Sequence, residues 1–305
     1  MSAQPKTQPT PEQIERRAAA KLATAQQREI LAARLRSEGE HDLAAKLDTC
    51  GTAVPLICCN CGTSKTVEAQ CRRRWCPACA YAIQCERVAN WSAVTRMLKW
   101  PLFLTLTVPN DPDPERIRTL RADWSRMRRR KIIASRISGG ITTIEVTEGN
   151  GGWHPHIHIL ADCKWLAVHV PPPSPRDSPD VVKQKCDHAK IELENIWSNV
   201  IGQPASIVAA LRAKSGDALA YSLKYAVKGS DLIASQLPIG PLIRVISKSR
   251  MISAFGDFHG RITPDDEEEK PRCTCPDCGE SASFIPAEIA HRACIVARDK
   301  NNAIR

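Results

Sequence analysis

Trp153-His154-Pro155-His156-Ile157-His158-Ile159-Leu160 is the stretch on which the fold turns. Three of the chain's eight histidines fall here within five residues. A strand points alternate side chains to one face. His156 and His158 therefore share a face, while Ile157 and Ile159 point into a core. The run before it, Ile141-Thr142-Thr143-Ile144-Glu145-Val146-Thr147-Glu148, leads into Gly149-Asn150-Gly151-Gly152. Asn-Gly between extended runs is a strong hairpin signal. With Asn150-Gly151 as the loop, Glu145 sits opposite His156 and Thr143 opposite His158. Opposed residues have Cβ atoms about 5 Å apart. Two imidazoles and a carboxylate then converge, a ligand set that leaves positions open on a divalent cation. Glu148 falls on the other face beside Trp153, and a one-residue slip would exchange the two glutamates.

Outward from the hairpin, the elements read as an α+β chain. Leu104, Leu106 and Val108 alternate with Thr105 and Thr107, the pattern of a strand. Asp113-Pro114 opens a helix whose Ile117, Leu120, Trp124 and Met127 form one stripe. After the hairpin, residues 171–179 are a Pro-rich loop. A helix carrying Val182, Cys186, Ala189, Leu193, Ile196 and Val200 runs to Gly202, and Ser206–Leu211 is a short strand. Two of the chain's three tyrosines follow, in Tyr221-Ser222-Leu223-Lys224-Tyr225-Ala226-Val227-Lys228. Ser215 is the N-cap and Gly229 the stop of that helix. Tyr221 and Tyr225 share a face, as do Lys224 and Lys228. The order βαββαβ predicts a ferredoxin-like antiparallel sheet.

Together these motifs resemble HUH-type rolling-circle replication initiators. Leu102-Phe103-Leu104-Thr105-Leu106-Thr107-Val108-Pro109, then Trp-His-Pro-His-Ile-His, then Tyr-x2-Lys-Tyr-x2-Lys match the three family motifs in order. The second and third look most like plasmid Rep proteins. Those proteins also carry a Cys-x4-Cys-Pro-x-Cys segment, matched by Cys71, Cys76, Pro77 and Cys79. The resemblance spans about residues 58–260. It implies a ferredoxin-like HUH nuclease core, the histidine strand central and the tyrosine helix over it. It implies DNA nicking by tyrosine, giving a 5′-phosphotyrosine and a free 3′-hydroxyl primer, with rejoining at termination. By resemblance Tyr225 is the nucleophile, Lys224 and Lys228 hold phosphates, and His156 and His158 bind the metal. Glu145 is the third ligand on the hairpin register. Mg²⁺ or Mn²⁺ fits that donor set, and a phenol of pKa about 10 needs such help to attack phosphorus. The chain departs from the single-tyrosine plasmid pattern at Tyr221, where a glutamate is usual. That spacing looks more like two-tyrosine transposases, which are the alternative reading within enzymes. A zinc-dependent DNA-binding regulator without catalysis is the alternative from another class.

The chain has 305 residues, a net charge of +10 and 14 cysteines. The charge suits a phosphate-backbone partner, and the resemblance implies that this is plasmid-origin DNA, single-stranded where it is nicked. Host helicase and polymerase would be further partners. Arg126-Met127-Arg128-Arg129-Arg130-Lys131 is the densest basic run, so Arg128, Arg129 and Arg130 are candidate DNA contacts. No apolar run spans a membrane and no secretory signal is present, which predicts a cytoplasmic protein with reduced thiols. The cysteines then read as Zn²⁺ ligands. Cys58-x2-Cys61 and Cys76-x2-Cys79 have zinc-ribbon spacing, with Cys59 and Cys71 as alternatives. Cys275, Cys278, His291 and Cys294 form a second candidate site. The implied organisation is a helical arm at 1–48, a zinc module at 50–90, the nuclease domain at 100–262 and a C-terminal zinc module at 271–305. The arm's stripe, Ile14, Ala18, Leu22 and Ala25, is mostly alanine and predicts weak docking. An acidic linker, residues 264–271, joins the last module.

Overall fold

The computed structural model describes residues 10–58, 61–204, 208–212, 229–260 and 284–286. Its centre is the hairpin of β4 (Gly139–Gly149) and β5 (Gly152–Asp162). The register pairs Glu145 with His156, Thr143 with His158 and Gly149 with Gly152, as a loop at Asn150-Gly151 dictates. Gly152, at φ +155°, lies so close to the Asp111 backbone that a Cβ there would come within 2.3 Å of it. Glycine is therefore required where the hairpin meets that loop.

β3 (Pro101–Thr107) pairs with the other side of β5, and β6 (Val208–Arg212) pairs with β3. β7 (Ile252–Gly256) covers the free edge of β4. The result is an antiparallel sheet of five strands, ordered β6-β3-β5-β4-β7, with the histidine strand in the middle. β7 is absent from the sequence reading. It is too short, and too evenly half-buried, to show alternation.

Two helices cover one face. α4 (Arg116–Arg129) buries Ile117, Leu120, Trp124 and Met127, and the four-residue α5 (Lys131–Ala134) follows it. α6 (Pro179–Ile201) buries Ala189, Leu193, Trp197 and Val200. They pack with Leu104, Leu106, Ile144, Val146 and Ile157 in one core. Ser178 caps α6 by accepting from the Val181 N–H, Pro179 occupies its first turn, and Gly202 ends it at φ 71°. The opposite face carries the histidines. α3 (Pro77–Arg96) lies against its far end, where Val88 and Trp91 meet Leu98, Ile141, Leu160 and Phe258.

The weakly docked arm expected from the sequence is corrected. α1 (Pro11–Ser37) and α2 (His41–Asp48) are separate helices. The alanine stripe does leave Leu22 62% exposed, but Leu31, Leu35 and Leu47 are fully buried. The Arg34 guanidinium donates to the carbonyls of Leu232, Ile233, Ser235 and Leu237 at 2.6–3.2 Å. These ring the end of α7 (Gly229–Ala234). The Glu38 carboxylate accepts from the N–H groups of Ile239 and Gly240, opening α8 (Ile239–Lys248), where a negative charge is favoured. Arg244 pairs with Glu40. Arm, cysteine segment and sheet share one contiguous apolar cluster.

A second sheet joins β1 (Ala53–Cys58), β2 (Ser64–Glu68) and β8 (Phe284–Pro286) in the order β2-β1-β8. Cys58 pairs with Phe284.

Candidate functional site

On the central strand, His154, His156 and His158 line up on one face. Their rings are 4.6 Å and 6.0 Å apart in succession. His158 is 4% exposed and stacks on Phe103. Its Nε2 donates to Glu145 Oε2 at 2.8 Å. With that proton placed, its Nδ1 accepts from Thr105 Oγ1 at 3.0 Å. A threonine hydroxyl both donates and accepts, so Thr105 serves either tautomer of His158. His156 Nε2 bonds Thr147 Oγ1 at 3.1 Å, and His154 Nδ1 bonds Asn110 Oδ1. Thr143 Oγ1 is buried beside His158 with no hydrogen-bond partner. Glu145 thus hydrogen-bonds His158, its diagonal neighbour, and its charge also acts on the His156 directly opposite.

Burial pushes His156 down to about 4, helped by His154 and His158 and opposed by Glu145. Burial lowers His154 as well. A neutral His156 keeps a nitrogen lone pair available near neutral pH, so donors of this kind fit a divalent cation. Glu148 is turned elsewhere. Both its oxygens accept from the Gln236 N–H at 3.2 Å.

Cys50, Cys71, Cys76 and Cys79 bring their sulfurs within 4.8 Å of one another, the one such group of metal-ligating side chains among the described residues. Cys50 is 3.7 Å from Cys76 and 3.4 Å from Cys79, and Cys71 is 3.8 Å from Cys79. A tetrahedron of metal–sulfur bonds about 2.3 Å long has edges of about 3.8 Å. The quartet can therefore hold a metal such as zinc. The Cys76 S–H donates to Cys71 and, with other donors, holds its thiol down at about 5 against the effect of burial. The same hydrogen bond and burial push Cys76 up. Burial, then Cys50, pushes Cys79 up to about 11. A Cys71 thiolate thus sits beside the thiols of Cys76 and Cys79, which a divalent cation would deprotonate.

This group differs from the zinc-ribbon pairing. Cys71, Cys76 and Cys79 come together, but their fourth member is Cys50. Gly51 donates to Ala69 and Ala69 to Thr52, so Cys50 and Cys71 sit at the base of the β1–β2 hairpin. Cys61 is at its other end, exposed, with its thiol on Thr63 Oγ1 at 3.2 Å. Several strand residues at about 3.3 Å each put the two ends about 20 Å apart. The sequence signal for Cys50 was an odd count, since Cys71-x4-Cys76-x2-Cys79 leaves one ligand to find. Thr105, Thr147 and Asn110 were also missed. Their one signal was the strand alternation that aims Thr105 at His158.

Arg128 and Arg129 close α4 and Arg130 caps it. Arg128 lies over the Phe255 ring at 5.4 Å, while the Arg129 Nε donates to the Ser125 carbonyl. Tyr221, Lys224, Tyr225 and Lys228 lie outside the described residues, as do Cys59, Cys275, Cys278, His291 and Cys294. Cys58 is described in its backbone alone, as the end of β1.

No curated protein and no solved structure matches the chain. Residues 65–164 match the family described as replication protein. That segment holds Cys71, Cys76 and Cys79 with the whole β4–β5 hairpin. No described helix is long and apolar enough to cross a membrane, and DNA is the partner that replication implies. Over these residues the chain is similar to replication proteins of the Rep family.

Proposed function

We propose that this replication initiator is a metal-dependent nicking and joining enzyme of the HUH type, acting in rolling-circle replication. The observation that carries the reading is the central strand, where His156 and His158 share a face with Glu145 inside the segment that matches the family. The strand order β6-β3-β5-β4 supports a ferredoxin-like core, since it is the order of a split βαββαβ sheet. His156, His158 and Glu145 would hold Mg²⁺ or Mn²⁺, which when bound polarises the scissile phosphate. Burial keeps His156 a neutral donor, Thr105 fixes His158, and Glu145 supplies negative charge. The Tyr225 oxygen attacks phosphorus and the bond to the 3′ oxygen breaks. A 5′-phosphotyrosyl ester forms, and the departing 3′-hydroxyl gains the proton. Lys224 and Lys228 hold flanking phosphates, as do Arg128, Arg129 and Arg130. Tyr221 would accept the strand at termination. The free 3′-hydroxyl would then serve host helicase and polymerase. The cysteine quartet would hold a structural zinc ion, and Cys275, Cys278, His291 and Cys294 a second.

The test is incubation of the full chain with Mn²⁺ and single-stranded DNA from its own plasmid's origin. A covalent adduct mapped to Tyr225, and lost in Tyr225→Phe and His156→Ala, is expected. Adduct on Tyr221 alone would reverse the tyrosine roles. Tight origin binding with no adduct would favour the regulator reading.

A further inference from the structure

The segment Ser247–Arg250, the end of α8 and the turn leading to β7, separates two basic clefts. One, of about 300 Å³, is lined by Arg118, Arg121, Lys248, Ser249 and Arg250 with Ile117. The other, of about 240 Å³, is lined by Arg72, Arg74, Arg87, Asn90 and Glu86 with Ile83. Hydrogen bonds tie the clefts to this one segment. Arg74 donates to the Ser249 carbonyl at 3.4 Å, Trp75 to Ser247 Oγ at 3.3 Å, and Arg121 to the Arg250 carbonyl at 2.5 Å.

The acids nearby are already engaged. Glu86 pairs with Arg72 and Glu115 with Arg118, while Asp123 holds Arg116 and Arg126. Arg74, Arg121, Lys248 and Arg250 have no carboxylate partner among the described residues, and Arg87 feels the charge of Glu86, which is itself paired with Arg72. Crowding shows in their chemistry. Burial and then Arg87 bring Arg74 down to about 10, and burial and then Arg250 lower Arg121. Cations packed without counter-charge favour an anion between them.

The position matters too. Ile252 pairs with Thr143, and Thr143 pairs with His158. Two strand spacings, about 10 Å, separate the start of β7 from the histidine strand. Neither cleft is lined by an aromatic side chain. Single strands are held by aromatic stacking, duplexes by their phosphates.

We propose that Arg74, Arg87, Arg118, Arg121, Lys248 and Arg250 form a track for the sugar–phosphate backbone of duplex DNA, alongside the strand to be cut. The placement beside a cut rests on the nuclease reading; the binding itself does not. Each phosphate contact contributes about 0.9 to the slope of log affinity against log salt. Lys248→Gln with Arg250→Gln in the full chain should lower that slope by about 2 on a short labelled duplex of arbitrary sequence. Arg87→Gln, in the other cleft, should lower it by about 1. On a single strand of the same length the slope should change by less than half as much. Thermal melting matched to the wild type ensures that folded proteins are compared. Slopes equal to the wild type in both variants, or an equal fall on single-stranded DNA, would overturn the track. Since no cleavage is read, a wild-type protein that failed to nick would overturn the nuclease reading alone.

Discussion

Thr105 shows how much of the histidine site is decided by residues beside the histidines. Its hydroxyl meets His158 Nδ1 at 3.0 Å while Glu145 meets Nε2 at 2.8 Å. Partners that orient a ligating imidazole are worth about 10–100-fold in metal affinity. Thr105→Val should accordingly raise the Mn²⁺ concentration needed for half-maximal nicking by about 10-fold, with little change at saturating metal. A Mn²⁺ titration of nicking checks it, and an unchanged midpoint would leave Thr105 as mere packing. His156 gives a stability prediction of definite sign. Its folded-state value, about 4, lies below the ordinary 6.5. The unfolded chain therefore binds the proton first. Its contribution to stability is complete above 6.5 and is lost as pH falls from 6.5 toward 4. Melting temperatures across that range should drop more for the wild type than for His156→Gln. Parallel curves would mean that His156 is not buried neutral.

At the scale of elements, the hairpin was legible because two constraints agree. Asn150-Gly151 sets the loop and alternation sets the faces, and the register that pairs Glu145 with His156 is the one found, without the one-residue slip. The stripe of α4 was legible from its period of 3.6, and that of α6 in part: Ala189, Leu193 and Val200 are buried as read, whereas Cys186 is exposed and Trp197 is buried instead. The cysteine ligands were not. Spacing along the chain suggested two knuckles, but the β1–β2 hairpin carries Cys61 to one end and leaves Cys50 at the other, near Cys71. Which cysteines come together was thus a property of strand pairing, which sequence spacing does not contain. Cys50→Ser should lose about one zinc ion per chain and lower the melting temperature, because structural zinc contributes directly to folding. Cys61→Ser should keep the quartet's zinc. Metal analysis of both variants decides between the two sets, and the opposite pattern would restore the ribbon.

Across the whole molecule, the arm is part of the body that positions the site. Arg34, with a side chain 22% exposed, holds four carbonyls around the end of α7, and Glu38 caps α8. Both lead into the segment flanked by the basic clefts. Arg34→Ala leaves those carbonyls without their donor and should cost about 3 kcal/mol. Urea unfolding measures it, and a loss below about 0.5 kcal/mol, the level of an ordinary surface substitution, would return the arm to a loose appendage. None of this was readable from the alanine stripe, because the docking residues, Leu31 onward, meet partners about 200 positions later in the chain. β8 extends that long reach and has a consequence for how the protein is made. β1 leaves the ribosome early, but its partner at Phe284–Pro286 emerges more than two hundred residues later. Until then one side of β1 is an unpaired edge, open to other strands. At about 5–20 residues per second that interval lasts about 10 to 50 seconds. Nascent chains therefore present an unpaired hairpin edge next to a completed five-stranded sheet, and a message truncated before residue 284 should yield a product prone to aggregate.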